Sequence, residues 1–261
     1  MAGACVRKPN ITLNMMIQRL IIGLLFFYSA MVQTTEKTPQ ESIQKDCVVL
    51  LHGLARTAFS MRKIKTALNA DDYQVVNESY PSRKYSIETL ADLAVEPAVE
   101  SCANAPKIHF VTHSLGGILV RQYLSQHTIE NLGNVVMLGP PNNGSAVVDY
   151  FQSSKLPNWL FDKANGPAGG QLGTGTESKP LKLGPVDFNL GVIAGNVSYS
   201  PLFSQALDGE DDGKVSVNST QIEGMKDHIT LPVSHTFMMD NDEVINQVSF
   251  FLKHGVFEKK D

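Results

Sequence analysis

Short apolar runs alternate with helical patterns from Lys45 onward, and this alternation limits the chain to few folds. The run from Cys47 to Leu51 is apolar at every position, as a strand buried on both faces requires. Further strands are predicted at residues 73–76, 108–111, 135–138 and 191–195, and helices at about 59–68, after Ser86 and at about 243–253. Strands that alternate with helices predict an α/β domain with a mostly parallel central sheet and helices on both faces.

The size and charge of the chain agree with one such domain, predicted over residues 45–261. Of the 261 residues, 43% are hydrophobic and 18% are charged, which is typical of a single packed domain. The formal net charge is -4 and no cluster of Lys and Arg recurs, so the sequence predicts no nucleic-acid partner.

Residues 1–34 have a different pattern. Arg19 precedes an apolar run from Leu20 to Val32, and polar residues follow. A positive flank, a short apolar core and a polar exit are typical of a secretory signal peptide, and the run is shorter than the roughly 20 residues that span a bilayer. An uncleaved membrane tether is the alternative. The sequence therefore predicts an exported protein, either periplasmic, in the cell envelope or secreted, with association at a membrane surface left open.

The segment from Thr112 to Gly117 lies between a predicted strand and a predicted helix. Ser114 then occupies a sharp, strained turn that aims its hydroxyl into the crevice above the sheet. Gly116 is expected because a Cβ there would meet the neighbouring backbone. A serine hydroxyl is a weak nucleophile and needs a base and a third group that orients the base. Ser114 is the predicted nucleophile.

This segment resembles the nucleophile elbow of α/β-hydrolases, usually written G-x-S-x-G, with Thr112 in place of the first glycine. Residues 51–54, Leu-His-Gly-Leu, are similar to the His-Gly turn of lipases of this fold, and residues 138–145 resemble the turn after its sixth strand. The resemblance covers about residues 47–250. It implies a lipase- or esterase-like serine hydrolase that forms an acyl-serine intermediate on an acyl ester or lipid, with no metal and no organic cofactor.

The resemblance also implies an oxyanion hole, which is built from backbone amides. The N–H groups of Leu54 and Leu115 would together receive the negative oxygen of the tetrahedral intermediate. His52 is expected to brace this loop rather than to act as a base.

The order nucleophile, acid, base in the family places the catalytic histidine late in the chain. Residues 227–235 are predicted as a final strand with His235 at its C-terminal end, where ligands gather in open α/β sheets. His228 would lie at the opposite edge. His113 is expected to point away along the turn, so His235 is the predicted base.

The acid is expected between the nucleophile and the base. Asp212 begins a segment that resembles the Asp-Gly-x-Val loop of lipases and esterases, in which the aspartate holds the histidine tautomer. Asp211 is the alternative.

Residues from about 145 to 185 are rich in Gly, Pro and Ser, and they are predicted to form a lid-like insertion after the sixth strand. An apolar cluster at about residues 150–161 includes Trp159 and Phe161, which are the predicted substrate-binding residues. Packing against the scaffold is the alternative for this cluster.

Cys47 and Cys102 remain as a pair once the N-terminal segment with Cys5 is removed. In an oxidising compartment, an even count favours a disulfide, and two buried thiols are the alternative. The strand order of the family would bring both residues to the edge opposite the active site.

Two other functions fit the same residues. An acyltransferase or a thioesterase would use the same triad with another acceptor or a thioester. A catalytically inactive hydrolase domain would serve as a binding protein of the cell envelope. The presence of a serine, an aspartate and a late histidine in suitable contexts argues against the inactive domain.

Overall fold

A computed structural model describes Gly3 and residues 44–153 and 165–259, and its larger compact unit is Gln44–Asp261. At the centre of this unit is a six-stranded sheet in the order β2-β1-β3-β4-β5-β6. The strands are β1 (Cys47–Leu51), β2 (Gln74–Val76), β3 (Ile108–His113), β4 (Leu132–Leu138), β5 (Leu190–Gly195) and β6 (Asp227–Leu231). All neighbouring strands are parallel, which confirms the parallel sheet predicted from the sequence.

All of the described helices but the last lie in the connections between the strands, and the last follows β6. They are α1 (Arg62–Ala70), α2 (Ile87–Ser101), α3 (Leu115–Leu124), α4 (Ala146–Ser153), α5 (Lys179–Lys182), α6 (Pro201–Ser204), α7 (Val217–Thr220) and α8 (Asp242–His254), with 3-10 turns at Ala58–Met61 and Met238–Asp240. Residues 165–170 are also helical. None of the helices in the described residues is long and apolar enough to span a membrane.

The strand β1 explains why the first run is apolar throughout. Val49 and Leu51 join the core that also contains residues of α2 and α3. Val48 and Leu50 join a second core with residues of α1 and α8. Because successive side chains of a strand point to opposite faces, a strand with helices on both sides buries every position.

The end of the sheet differs from the sequence prediction in one respect. The final strand was predicted to reach His235, but β6 ends at Leu231. Pro232 follows, and proline has no N–H to donate to a strand ladder. His235 therefore lies in the loop beyond β6, still on the side of the sheet where the carboxyl ends of the strands lie.

The predicted insertion follows β4, the fourth strand of the described sheet, so the expected count of six preceding strands does not hold for the described residues. The described part of the insertion contains α4, residues 165–170 and α5, and is less irregular than its composition suggested. The buried Arg121 of α3 donates hydrogen bonds to the carbonyl oxygens of Pro180 and Gly184. These contacts attach the later part of the insertion to the body of the domain.

Cys47 and Cys102 form a disulfide with a Cα–Cα distance of 5.8 Å. Cys47 begins β1, and Cys102 follows the last residue of α2. Ser114 lies beyond the opposite end of the parallel β3. The bridge is therefore at the edge of the sheet away from Ser114.

Replacing both cysteines with serine should lower the free energy of unfolding by about 4 kcal/mol in the chain-entropy model, because the disulfide closes a long loop in the unfolded chain. The sequence separation is 55 residues. Urea unfolding of the wild type, the double variant and the reduced wild type measures this effect. The double variant and the reduced protein should agree. Equal stability of the oxidised and reduced wild type would contradict the prediction.

Candidate active site

Ser114 lies in the turn between β3 and α3, with φ 54° and ψ -119°. A positive φ is uncommon for a residue other than glycine and marks local strain. The backbone holds this turn in place, since Ser114 N–H donates to Leu138 O at 2.9 Å and Gly117 N–H donates to Ser114 O at 3.0 Å. The turn that was predicted to present the Ser114 side chain is therefore formed.

Small residues allow the turn to approach β1 closely. A Cβ at Gly116 would lie 2.6 Å from Leu51 O, which is closer than atoms can pack. Thr112, which replaces a glycine of the familiar pattern, is fully buried in β3. Gly117 makes room for it, because a Cβ there would lie 3.2 Å from the Thr112 hydroxyl oxygen.

Asp212 and His235 form a buried pair. Asp212 Oδ2 lies 2.7 Å from His235 Nδ1. Asp212 Oδ1 accepts hydrogen bonds from the amides of Lys214 and Val215 at 3.0 and 2.8 Å, and His235 N–H donates to Asp212 O at 3.0 Å. With Nδ1–H donating to the carboxylate, Nε2 of His235 is left as the acceptor nitrogen.

The two rejected alternatives have other partners. Asp211 Oδ1 accepts hydrogen bonds from Gly213 N–H at 2.7 Å and from the Ser204 hydroxyl at 3.0 Å. His228 Nε2 lies 3.0 Å from the Thr220 hydroxyl oxygen. His228 does not line the cavity that contains Ser114. The structure thus pairs His235 with Asp212, whereas Asp211 and His228 have other partners.

Gly139, at the end of β4, is a positioning residue that the sequence reasoning missed. Its φ is +54°, and a Cβ there would lie 3.0 Å from both Asp212 Oδ2 and His235 Nδ1. A larger residue would therefore press on the carboxylate–imidazole hydrogen bond itself. The sequence shows a glycine directly after a buried strand, but it does not show that Asp212 and His235 lie next to this glycine in the fold.

His113 differs from its expected placement. It was predicted to point away along the turn, but its Nε2 lies 3.0 Å from His235 O, and the two rings are 4.7 Å apart. Since the partner is a carbonyl oxygen, Nε2 carries the proton and donates. Burial, and then the neighbouring His235, lower the pKa of His113 well below its usual value. A neutral His113 thus holds the backbone that carries His235.

The loop after β1 is braced by His52, as expected. His52 Nδ1 lies 2.9 Å from Gly53 O, and its Nε2 accepts from Tyr80 N–H at 3.2 Å. The Tyr80 hydroxyl donates to His52 O, and the two rings stack with centroids 4.0 Å apart. Among the described residues, no hydrogen bond is made by the amides of Leu54 and Leu115. Neither N–H group thus has an internal acceptor in this part of the chain, and the predicted oxyanion hole requires this.

Ser114 and His235 line one cavity of about 310 Å³. Apolar side chains from the loop after β1, from the insertion and from the loop after β5 form much of its wall: Leu54, Val147, Val148, Phe151, Leu172 and Phe203. Within the described part of the chain, no hydrogen bond joins the Ser114 hydroxyl to His235. Such contacts are often long in ligand-free sites and tighten with substrate.

Trp159 and Phe161, the predicted substrate-binding residues, lie outside the described residues.

No group of His, Cys, Asp and Glu within the described ranges could hold a metal ion.

Comparison by sequence identifies the fold. A family model for the alpha/beta hydrolase fold matches residues 46–165, which include β1, the turn at Ser114 and β4. A comparison with curated proteins finds no match.

Solved structures with the same fold include three lipolytic proteins. Bacillus licheniformis lipase BlEst2 in its mature form has a TM-score of 0.62 and 20% identity, over 82% of this chain and 93% of that one. One of the metagenome-derived lipolytic enzymes LipS and LipT has a TM-score of 0.56 and 13% identity, over 81% of this chain and 95% of that one. Phospholipase PlaB from Legionella pneumophila has a TM-score of 0.54 and 15% identity, over 68% of this chain and 45% of PlaB. At these identities the likeness is one of fold.

Stability should fall as the pH drops below about 6.5, the usual pKa of histidine. Burial lowers the pKa of His52 and, more strongly, of His113 in the folded chain. In that range the unfolded chain binds protons that the folded chain does not, so protonation favours unfolding, by up to about 1.4 kcal/mol per imidazole and pH unit. Urea unfolding at pH 7.5 and 5.5 measures the effect, and His113→Gln should reduce it. A free energy of unfolding that rises towards pH 5.5 would show that these imidazoles are charged in the fold.

Proposed function

We propose that this chain, a member of the α/β-hydrolase superfamily, is an exported serine hydrolase that cleaves carboxylic esters. Ser114 is the nucleophile, His235 the general base, and Asp212 the acid that orients it. One observation carries the proposal. The buried Asp212–His235 pair opens on the same cavity as the strained turn of Ser114.

The geometry supports a specific division of labour. His235 Nε2 takes the Ser114 proton as the hydroxyl attacks the ester carbonyl, and Asp212 stabilises the imidazolium that forms. The free amides of Leu54 and Leu115 receive the oxyanion. His235 then protonates the departing alcohol, which leaves an acyl-serine. Water, activated by the same imidazole, releases the acid and restores Ser114.

The cavity favours an ester with an apolar part of modest size. Its volume is about 310 Å³ and its walls are mainly aliphatic and aromatic, as small-molecule pockets usually are. Phe151 and Asn165, which flank the segment that contains Trp159 and Phe161, both line the cavity. This supports the proposal that Trp159 and Phe161 contact the acyl chain. The names of lipase BlEst2 and phospholipase PlaB, which have a similar fold, support a lipid or ester substrate.

Export is supported by two independent features. The N-terminal segment has the pattern of a signal peptide or a membrane tether. The Cys47–Cys102 disulfide is stable in an oxidising compartment and rare in a reducing one.

Replacing Ser114 with Ala should abolish ester hydrolysis, and His235→Ala should lower kcat/KM by at least about a thousandfold, because the triad acts as a unit. His228→Ala is the matched control. It removes an imidazole outside the cavity and should retain most of the activity. Hydrolysis of a chromogenic short-chain ester measures all three, with circular dichroism to verify folding. Activity of Ser114→Ala near that of the wild type, or a more severe loss in His228→Ala than in His235→Ala, would refute the assignment.

A further inference from the structure

Two cationic side chains, Arg56 and Lys214, line the cavity that contains Ser114, whereas no Asp or Glu of the described residues lines it. Arg56 belongs to the loop after β1, and Lys214 belongs to the loop after β5. In the sheet, β1 lies on one side of β3 and β5 lies beyond β4 on the other. The two cations therefore come from loops on either side of the turn that presents Ser114.

Neither cation is neutralised by a carboxylate among the described residues. Within the described ranges, Arg56 Nη2 donates to the backbone oxygen of Thr236, at 3.5 Å, and to no other acceptor. Lys214 Nζ has no hydrogen bond or ion pair in the described part of the chain. Asp212 is the acidic residue nearest to Lys214 in the sequence. Its carboxylate already uses one oxygen for His235 and the other for two backbone amides.

The two positive charges also act on each other. Burial, followed by the charge of Arg56, lowers the pKa of the Lys214 ammonium, and Asp212 opposes this. Both cations also help to lower the pKa of His113, which is in contact with His235. Like charges that share a partly enclosed cavity repel one another. A bound anion would remove this repulsion and satisfy both donors.

Arg62 and Lys179 do not line this cavity, and each has a carboxylate partner. Arg62 lies 3.8 Å from Asp240, and its guanidinium stands over the Phe59 ring. Lys179 pairs with Glu88. Unlike Arg62 and Lys179, Arg56 and Lys214 line the cavity that contains Ser114 and have no carboxylate partner among the described residues.

We propose that Arg56 and Lys214 form an anion subsite, which selects esters that carry a carboxylate or phosphate group close to the scissile bond. This inference rests on the proposed ester hydrolysis and names its substrate class. Arg56 donates its guanidinium N–H groups to the anion from the oxyanion-loop side, and Lys214 donates its ammonium from the side of Asp212. The apolar walls hold the remainder of the acyl or alcohol part.

Paired substrates that differ only in the anion test the subsite. In the first pair, the monoester of glutaric acid with 4-nitrophenol carries a carboxylate on its acyl side, and 4-nitrophenyl pentanoate is its neutral partner. In the second pair, dihexanoyl phosphatidate carries a phosphate on its alcohol side, and dihexanoylglycerol is its neutral partner. The readout is the ratio of kcat/KM for the anionic ester to that for its neutral partner. The pair with the larger ratio identifies which part of the substrate carries the anion.

The wild type should prefer the anionic ester of at least one pair, and the preference should weaken with added salt. Arg56→Gln and Lys214→Gln should each lower the ratio by about tenfold, as expected for the loss of one charge-assisted hydrogen bond. Arg56→Lys should retain part of the preference. Arg62→Gln is the matched control, since it removes a positive charge that does not line the cavity and should leave the ratio unchanged.

Binding of inorganic phosphate to Ser114→Ala, measured by calorimetry, tests the subsite without turnover. Phosphate should bind to Ser114→Ala, and adding Arg56→Gln and Lys214→Gln to that variant should abolish binding. Failure of phosphate to bind, or a ratio that stays at the wild-type value in both single variants, would overturn the subsite while leaving ester hydrolysis in place. If the proposed ester hydrolysis itself is wrong, the wild type will be inactive towards both the anionic and the neutral ester of each pair.

Discussion

The buried hydrogen bond between Asp212 and His235 is the interaction on which the geometry of the site depends. It joins the loop after β5 to the loop after β6, at 2.7 Å between carboxylate and imidazole. Each partner is fixed by its own backbone, Asp212 by two amides and His235 by the carbonyl of Asp212. Gly139, from the end of β4, leaves the space that the pair occupies. Three consecutive strands of the parallel sheet thus converge on one hydrogen bond, and the turn after β3 presents Ser114 to the same cavity.

Two neutral histidines support this arrangement. His52 ties the loop that carries Leu54 to Tyr80, and His113 holds the backbone of His235. Burial lowers the pKa of both. A neutral imidazole keeps one nitrogen as donor and one as acceptor, and His52 uses both, whereas His113 uses only its donor. Positive charge is instead placed at Arg56 and Lys214, where the cavity is open to a ligand. The division places neutral groups in the scaffold and charged groups where a substrate could use them.

Local features of the sequence were sufficient to predict the strands and the turn. Continuous apolar runs mark strands buried on both faces, and the small residues around Ser114 fit a turn that approaches β1. The assignment of His235 required the order of residues in a family, and the preference for Asp212 over Asp211 required the family's Asp-Gly-x-Val loop, because composition and periodicity do not distinguish the two aspartates. The contacts of Gly139 and His113 could not be predicted, since each depends on loops that are distant in sequence. The end of β6 was placed too late because the apolar pattern continued through Pro232.

Labelling with a fluorophosphonate tests the central claim most directly, because the reagent reacts with a serine that a neighbouring base activates. Intact-mass measurement followed by peptide mapping locates the adduct. The account predicts one adduct on Ser114 in the wild type and a much slower reaction in both Asp212→Asn and His235→Ala, with His228→Ala labelled at the wild-type rate. An adduct on another residue, or a wild type that remains unlabelled while folded, would contradict it.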